Sequence, residues 1–239
     1  MFPLQDLNPT RRLPILTYLL IGLNVLVFIW EMSLTEIELA REFLDLAVVP
    51  ANFDTAPVGE TILDIVRSMF LHGGYDHIIG NMLYLYLFGD NIEDRLGKIL
   101  FLILYFASGF AAVGAQYVID PNSTIPMIGA SGAIAGVLGS YLILYPTVKV
   151  RGIVPLGAIS TLQEWPAFIV LGLWFVLQLF NGIVSLGPEF QGGGVAFFAH
   201  IGGFVAGVIL TFLFMMMVPQ PPKDRREESL YEQARRHRF

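Results

Sequence analysis

The apolar and polar residues of this chain alternate in long blocks rather than in the short periods of a soluble fold. Five apolar windows contain no Asp, Glu, Lys or Arg: Leu13 to Trp30, Ile99 to Ile119, Pro121 to Val148, Trp165 to Pro188 and Phe190 to Pro222. A transmembrane helix needs about 20 mainly apolar residues. The pattern therefore predicts five membrane-spanning helices.

A sixth apolar window, from His77 to Gly89, is shorter than the others. As a helix it would measure roughly 20 Å at the usual rise per residue. It reaches spanning length if it extends into Asp76 at one end and into residues 90–93 at the other. An interfacial or re-entrant helix is the alternative. We interpret it as a span, so the expected fold class is an all-α polytopic membrane protein with a six-transmembrane-helix bundle.

The positions of Lys and Arg orient these spans. Twelve of the 14 cationic residues precede the first span, follow the sixth, or lie in the connections after the second and fourth: Arg11, Arg12, Arg95, Lys98, Lys149, Arg151, Lys223, Arg225, Arg226, Arg235, Arg236 and Arg238. Lys and Arg are enriched in cytoplasmic loops. We therefore expect a cytoplasmic N-terminus (1–12), a six-helix membrane domain (13–218) and a basic cytoplasmic tail (219–239).

Two outer connections have distinctive sequences. The longest connection contains the apolar stretches Phe43 to Val49 and Ile62 to Leu71, which predict short helices lying in the outer interface. The connection from Ser185 to Gly194 is rich in glycine. We interpret it as a mobile lid, and a merely flexible connector is the alternative.

Composition supports a membrane protein and removes several kinds of chemistry. Hydrophobic residues make up 55% of the chain and charged residues only 14%, whereas about a quarter of a soluble domain is charged. The chain has no cysteine, which excludes disulfides, thiolate metal sites and a cysteine nucleophile. We expect no cofactor, no metal and no nucleic-acid partner. No transit peptide is recognisable, so the plasma (inner) membrane of a prokaryote is the expected location.

Counted along the chain, the short window is the second, and Ser131 and His200 are polar residues inside the fourth and the sixth. Polar groups in lipid are costly and are candidates for function. His77 and Asn81 in the second window are four residues apart, so they share a helix face. The predicted topology places all four near the outer ends of their spans. A serine hydroxyl and an imidazole at one depth suggest a hydrolase that works within the bilayer.

Glycines accompany both residues. Gly132 and Gly136 follow the serine, and Gly203 and Gly207 follow the histidine. Small residues let membrane helices approach closely, which the hydroxyl needs in order to reach the ring. Simpler explanations exist for each feature alone. A glycine pair is often only a packing surface, a serine at a helix start is often a cap, and a membrane histidine often bonds a neighbour or binds a metal or haem.

Other intramembrane activities fit the sequence less well. A zinc protease would need a His-Glu-x-x-His motif, which this chain lacks. Tyr75-Asp76 and Gly89-Asp90 lie at opposite ends of one predicted helix, so the two carboxylates cannot share a proton as in an aspartyl protease. A transporter with a polar midplane site is a further alternative, but the two halves of the chain show no repeat.

Taken together, these motifs resemble those of the rhomboid intramembrane serine proteases. The resemblance runs from the first to the sixth span and rests on residues 72–81, residues 93–95, residues 129–132 and residues 199–203 with Gly207. It implies that Ser131 is the nucleophile and His200 the general base. It places His77 and Asn81 in the oxyanion site, with His72 and Gly129 as candidate members of the oxyanion and substrate-binding site. The implied substrates are transmembrane protein segments. We expect the protein itself to act as a monomer.

The sequence departs from this family at two positions. Many members have a Trp-Arg pair in the first outer loop, where this chain has Leu63-Asp64. Some members have an aromatic residue four positions after the serine, and here that residue is Ala135. A rhomboid-like pseudoprotease that binds helices without cutting them is the main alternative, although both the serine and the histidine are present.

Overall fold

A computed structural model describes residues 2–156, 159–187 and 195–218. Within these ranges the chain forms β1 (Phe2–Asp6), α1 (Ile15–Glu31), α2 (Glu36–Leu46), α3 (Val58–Ser68), α4 (Tyr75–Leu96), α5 (Lys98–Ile119), α6 (Ser131–Leu144), β2 (Lys149–Leu156), β3 (Ile159–Pro166), α7 (Ala167–Ser185) and α8 (Phe197–Met217). A 3₁₀ turn covers Pro50–Asn52. The predicted basic tail and most of the predicted lid lie outside the described residues.

Each of the six apolar windows contains one helix. Among the described residues, α5, α7 and α8 are long and apolar enough to cross a membrane, and α1 and α6 are apolar but shorter. Helix α4 has 22 residues because it extends through both polar ends of its window, from Tyr75 to Leu96. The structure is thus mostly helical, and its apolar helices are those of a multi-pass membrane protein.

The first long connection folds into α2 and α3. A capping box starts α2, in which the Thr35 hydroxyl accepts from the Glu38 N–H and the Glu38 carboxylate accepts from the Thr35 N–H. The second predicted stretch, from Ile62, overlaps most of α3. The first covers only the end of α2, because the polar capping box starts that helix at Glu36, well before the apolar residues begin.

A three-stranded antiparallel sheet, in the order β1-β2-β3, was not anticipated by the all-α prediction. The N-terminal strand pairs with β2 from Phe2 opposite Ile153 to Asp6 opposite Val150, and β2 forms a hairpin with β3. These strands contain Pro3, Gly152 and Pro155, residues that are unfavourable within strands. The pairing of β1 with a segment about 150 residues away is a tertiary contact that local pattern does not reveal.

Helix α6 occupies the centre of the bundle and packs against α4, α5 and α8. Eleven of its 14 residues are buried. A β-carbon on Gly203 would overlap the carbonyl oxygen of Gly132, and one on Gly207 would overlap that of Gly136. The predicted close approach of the glycine-lined faces is therefore confirmed, and it sets the start of α6 beside the first turn of α8.

Candidate active site

Ser131 and His200 face each other across the contact between α6 and α8. Ser131 is the first residue of α6, and His200 lies in the first turn of α8. The His200 Nε2 is 2.8 Å from the Ser131 Oγ, although the two residues are 69 positions apart in the chain. Both side chains are half-buried. The expectation that the hydroxyl and the ring meet between two helices is confirmed.

The other nitrogen of the His200 ring contacts a residue that the sequence analysis missed. The His200 Nδ1 lies 2.8 Å from the Gln178 Oε1 on α7. The ring of Trp174, one turn earlier on α7, has its centroid 6.0 Å from that of His200. At the position where some relatives have an aromatic residue, Ala135 is fully buried. Gln178 and Trp174 therefore flank the imidazole from a different helix.

The sequence did contain a signal for Gln178. It is a polar residue in the middle of the apolar window from Trp165 to Pro188. The argument that singled out Ser131 and His200, that polar groups in a membrane helix are candidates for function, applies equally to this glutamine.

His77 and Asn81 lie on one face of α4, beside Gly129. A β-carbon on Gly129 would be 2.5 Å from the His77 Nε2 and 3.6 Å from the Asn81 Nδ2. Gly129 also has a φ of +112°, a conformation that residues with side chains rarely adopt. Only glycine leaves this space open, two residues before Ser131.

Three hydrogen-bond donors are available in this region. Asn81 is 7% exposed, and its Nδ2 has no hydrogen-bond partner among the described residues. The His77 Nδ1 accepts from the Gly73 N–H at 3.3 Å, so the neutral ring carries its proton on Nε2, beside Gly129. The Ser131 N–H belongs to the first turn of α6, where backbone N–H groups have no intrahelical partner. Such a set of donors suits an anionic oxygen.

His72 lies behind His77. It is 1% exposed, and its ring meets that of His77 edge-on at 5.0 Å between centroids. Its Nδ1 is 3.2 Å from the carbonyl oxygen of Phe70, so Nδ1 carries the proton in that contact. Burial lowers the pKa of His72 to about 4, so this ring is neutral at physiological pH. The structure thus places His72 in contact with His77 rather than with Ser131 or His200.

Backbone hydrogen bonds secure the loops around the site. The Gly129 N–H donates to the Ser68 carbonyl at 2.8 Å, and the Met127 N–H donates to the Val48 carbonyl at 2.7 Å. The His72 N–H donates to the Glu31 carboxylate at 2.9 Å. These contacts tie the first outer connection to the segment that precedes α6. They hold this region in a chain that has Leu63-Asp64 in place of the Trp-Arg pair.

No group of three or more His, Asp or Glu side chains suited to a metal ion occurs in the ranges the structure describes. The groups that the structure places around Ser131 are an imidazole and amide donors. An imidazole that accepts from a hydroxyl activates it as a nucleophile.

Comparison with known proteins agrees with this geometry. Residues 59–217 match the family model of the rhomboid domain. The chain is 30% identical over 149 residues to the putative rhomboid protease YdcA of Bacillus subtilis, covering 62% of this chain and 65% of that protein. It is 30% identical to the mitochondrial rhomboid protein 1 of Saccharomyces cerevisiae, covering 88% of this chain and 56% of that protein.

A third relative is the rhomboid protease AarA of Providencia stuartii, which is 27% identical over 84% of this chain and 73% of its own length. By contrast, the chain spans less than two thirds of the length of the Bacillus and yeast relatives. The family model nevertheless includes Ser131, His200, His77 and Asn81, and it covers well over half of the chain. This chain belongs to the rhomboid family.

Proposed function

We propose that this protein is an intramembrane serine endopeptidase in which Ser131 is the nucleophile and His200 the general base. The observation that carries the proposal is the 2.8 Å contact between the His200 Nε2 and the Ser131 Oγ. Family membership and relatives named as rhomboid proteases support it. A shared fold alone does not specify an activity, and the contact between the hydroxyl and the imidazole supports the assignment beyond the fold.

In the proposed reaction, the His200 Nε2 takes the proton of the Ser131 hydroxyl as the Oγ attacks the carbonyl carbon of a peptide bond. The ring then delivers that proton to the departing amine, which leaves an acyl-enzyme. Water then attacks the carbonyl carbon of the acyl-enzyme while the His200 Nε2 takes its proton. The ring returns this proton to the Ser131 Oγ as the ester bond breaks and the carboxylic acid leaves. Each step returns the imidazole to its starting state.

The tetrahedral intermediate carries a negative oxygen, which needs donors already in position. The Ser131 N–H, the Asn81 Nδ2 and the His77 Nε2–H are the proposed oxyanion donors. The α6 N-terminus adds a favourable dipole at this point. Gly129 keeps the adjacent space free for substrate, and His72 supports the ring of His77 from behind.

The proposed substrates are transmembrane segments of other proteins, cleaved near their outer ends. A helix hides its carbonyls in hydrogen bonds, so the scissile stretch must unwind, which residues of low helix propensity favour. We propose six spans within residues 13–218, cytoplasmic ends at 1–12 and 219–239, and action as a monomer. The site would then face outward. We propose the plasma membrane of a prokaryote as the location. Some relatives are mitochondrial proteins, so the family by itself does not specify the membrane.

The test compares wild-type protein with the Ser131→Ala and His200→Ala variants, purified and reconstituted in liposomes with a model transmembrane substrate. Loss of either group should reduce turnover by about 10⁴-fold or more. Ser140→Ala is the matched control, because Ser140 is a buried serine on the same helix, nine positions from Ser131. It should leave turnover essentially unchanged.

A fluorophosphonate probe provides a second measurement. It should label the wild-type protein and the Ser140→Ala variant but not the Ser131→Ala variant. A protein that cleaves nothing and is not labelled would be a pseudoprotease. Cleavage by Ser131→Ala at the wild-type rate would exclude Ser131 as the nucleophile.

A further inference from the structure

Among the described residues the proposed Ser131–His200 pair has no acidic third member, yet the second nitrogen of its imidazole is occupied. Gln178 on α7 places its Oε1 2.8 Å from the His200 Nδ1. Both side chains are half-buried within the bundle. Trp174, one turn away on the same helix, lies alongside the ring with an interplanar angle of 36°. The imidazole is thus held on one face by a ring and at one edge by an amide.

This contact determines the tautomer of the neutral His200 ring. The proton of a neutral imidazole sits on either Nδ1 or Nε2, and the hydrogen bond made by one nitrogen determines which of the two is protonated. A base for Ser131 must have an unprotonated Nε2. An amide oxygen can only accept, so its contact with Nδ1 requires the proton to be there and leaves Nε2 free to accept.

We propose that Gln178 is a positioning residue that holds His200 in the tautomer and orientation able to deprotonate Ser131. This inference rests on the proposed function. It assigns to α7 the task that an acidic residue performs in a Ser-His-Asp triad. It also accounts for Ala135, since the ring is held by Trp174 and Gln178 instead of by an aromatic residue on α6.

The amide also contributes when the proton moves. Transfer from the Ser131 Oγ to Nε2 makes the ring an imidazolium, and its Nδ1–H bond to Oε1 becomes charge-assisted and stronger. The glutamine remains neutral throughout, and the proton passes on to the departing amine. Unlike a carboxylate, an amide stabilises the cation only moderately, so the proton is also readily released.

The opposite amide orientation gives a different outcome. If the Gln178 NH₂ donated to Nδ1, the ring proton would be on Nε2 and would point at the Ser131 oxygen, and His200 would be unable to act as a base. The two orientations exchange nitrogen and oxygen at one position. They are distinguished by where the histidine proton is found.

The kinetic test uses Gln178→Leu, which removes the acceptor at similar size, and Gln178→Glu, which retains one. Gln178→Leu should lower kcat roughly tenfold, as expected for one neutral hydrogen bond, with KM unchanged. Gln178→Glu should restore kcat and move the acid limb of the pH–rate profile to higher pH, because a carboxylate favours the imidazolium. Leu177→Ala, an exposed neighbour on α7, is the control and should behave as wild type.

The spectroscopic test does not depend on turnover. The chain has four histidines, so ¹⁵N-histidine labelling gives few signals. In wild-type protein the His200 signals should show a protonated Nδ1 and an unprotonated Nε2, and Gln178→Leu should shift the population toward the other tautomer. A protonated Nε2 in the resting wild type would overturn the proposal.

Wild-type kcat and an unchanged pH profile in Gln178→Leu would also overturn it. The proposal would also fail if kcat fell in Gln178→Leu together with thermal stability and Gln178→Glu did not restore it. That pattern would indicate that Gln178 contributes packing alone. These outcomes are separate from failure of the proposed function. If Ser131→Ala cleaves like wild type, Ser131 is not the nucleophile, whereas the tautomer measurement still reports on the Gln178 contact.

Discussion

Two polar clusters lie at opposite ends of α4, and they use polar groups in different ways. The serine cluster, near the start of α4, comprises His77, Asn81, Ser131 and His200. The carboxylate cluster, near its end, comprises Asp6, Asp90, Asn91 and Glu93. Both bring together side chains from distant parts of the chain within a largely apolar bundle. Burying such groups is costly unless they are hydrogen-bonded, so the state of their hydrogen bonds distinguishes structure from function.

The side chains of the carboxylate cluster make several hydrogen bonds. The Glu93 carboxylate accepts from the N–H groups of Leu16 and Thr17 and from the Thr17 hydroxyl, at 2.8 to 3.0 Å. It therefore caps the N-terminus of α1 from another helix, where a negative charge is favourable. The Asn91 Nδ2 donates to Asp6 at 2.7 Å and to Asp90 at 2.9 Å. This end of α4 joins α1 and β1 to the bundle.

The serine cluster, by contrast, contains a hydrogen-bond donor that has no acceptor among the described residues. The Asn81 Nδ2 is buried with no partner among the described residues, beside the open space that Gly129 leaves. A buried donor without an acceptor costs roughly 1–3 kcal/mol. The hydrogen bonds of the carboxylate cluster are those of a stabilising contact, whereas the Asn81 amide has no partner among the described residues, as its proposed role as an oxyanion donor requires.

Asn81→Ala and Asn91→Ala should show the largest contrast, since the same side chain is removed from each cluster. Loss of an oxyanion donor typically lowers kcat by about 10²–10³, so Asn81→Ala should do so with no loss of thermal stability. Asn91→Ala should lower stability while leaving kcat per folded molecule near wild type. Turnover and thermal unfolding, measured on both variants, check this. Equal effects of the two variants on both quantities would remove the distinction between the clusters.

Glu93→Ala should give the next largest effect, this time on stability. It leaves two N–H groups and a hydroxyl at the start of α1 without their acceptor, at a cost of about 2–3 kcal/mol. Asp94→Ala is the control, because the hydrogen bond of the adjacent Asp94 with the Arg11 N–H, at 3.3 Å, is exposed. Chemical unfolding in detergent micelles measures both. If Asp94→Ala proves as damaging as Glu93→Ala, the capping explanation fails.

A smaller, pH-dependent effect should come from Asp6. Burial, together with the nearby Asp90 carboxylate, raises the pKa of Asp6 from 3.8 to about 7, against the opposing hydrogen bonds from Tyr141 and Asn91. The folded state therefore holds this proton more tightly than the unfolded state. The resulting stability is complete below about pH 4 and is lost as the pH rises through about 7.

Asp6→Asn, which keeps the shape but cannot ionise, should therefore gain stability over wild type as the pH rises from 5 to 8. We expect a gain of about 1 kcal/mol, allowing for the partial exposure of this residue. Hydrogen exchange of β1 and thermal unfolding at both pH values measure it. A difference between the two proteins that stays constant with pH would contradict the assignment to Asp6.

The smallest effect is expected at the sheet. Glu164 accepts from Arg151 at 2.7 and 3.0 Å and lies 3.8 Å from Lys149. These groups are exposed, and exposed ion pairs contribute about 0–1 kcal/mol. Glu164→Gln should therefore change stability by less than 1 kcal/mol at physiological salt and leave kcat unchanged. A larger loss would mean that the sheet is coupled to the bundle more strongly than its charges suggest.

The sequence was most informative about the candidate site, because a polar residue within an apolar window has few interpretations. A hydroxyl and an imidazole in separate apolar windows predicted the contact between Ser131 and His200. The i, i+4 spacing placed His77 and Asn81 on one face. The roles of Glu93 and Gln178 were less accessible. Glu93 belonged to a recognised motif, but nothing local indicates that it caps α1, and Gln178 was visible only as a polar residue in an apolar stretch.

Some properties of this protein depend on the amino-acid sequence alone. Hydrophobic length, glycine spacing and the isolation of Ser131 and His200 among apolar residues are local, because transfer of side chains from water to lipid is additive along a segment. Other properties arise only in three dimensions: the pairing of β1 with β2, the capping of α1 by Glu93, and the contact of Gln178 with the His200 imidazole. Each is a hydrogen bond between segments far apart in the chain, and its existence depends on how the helices pack.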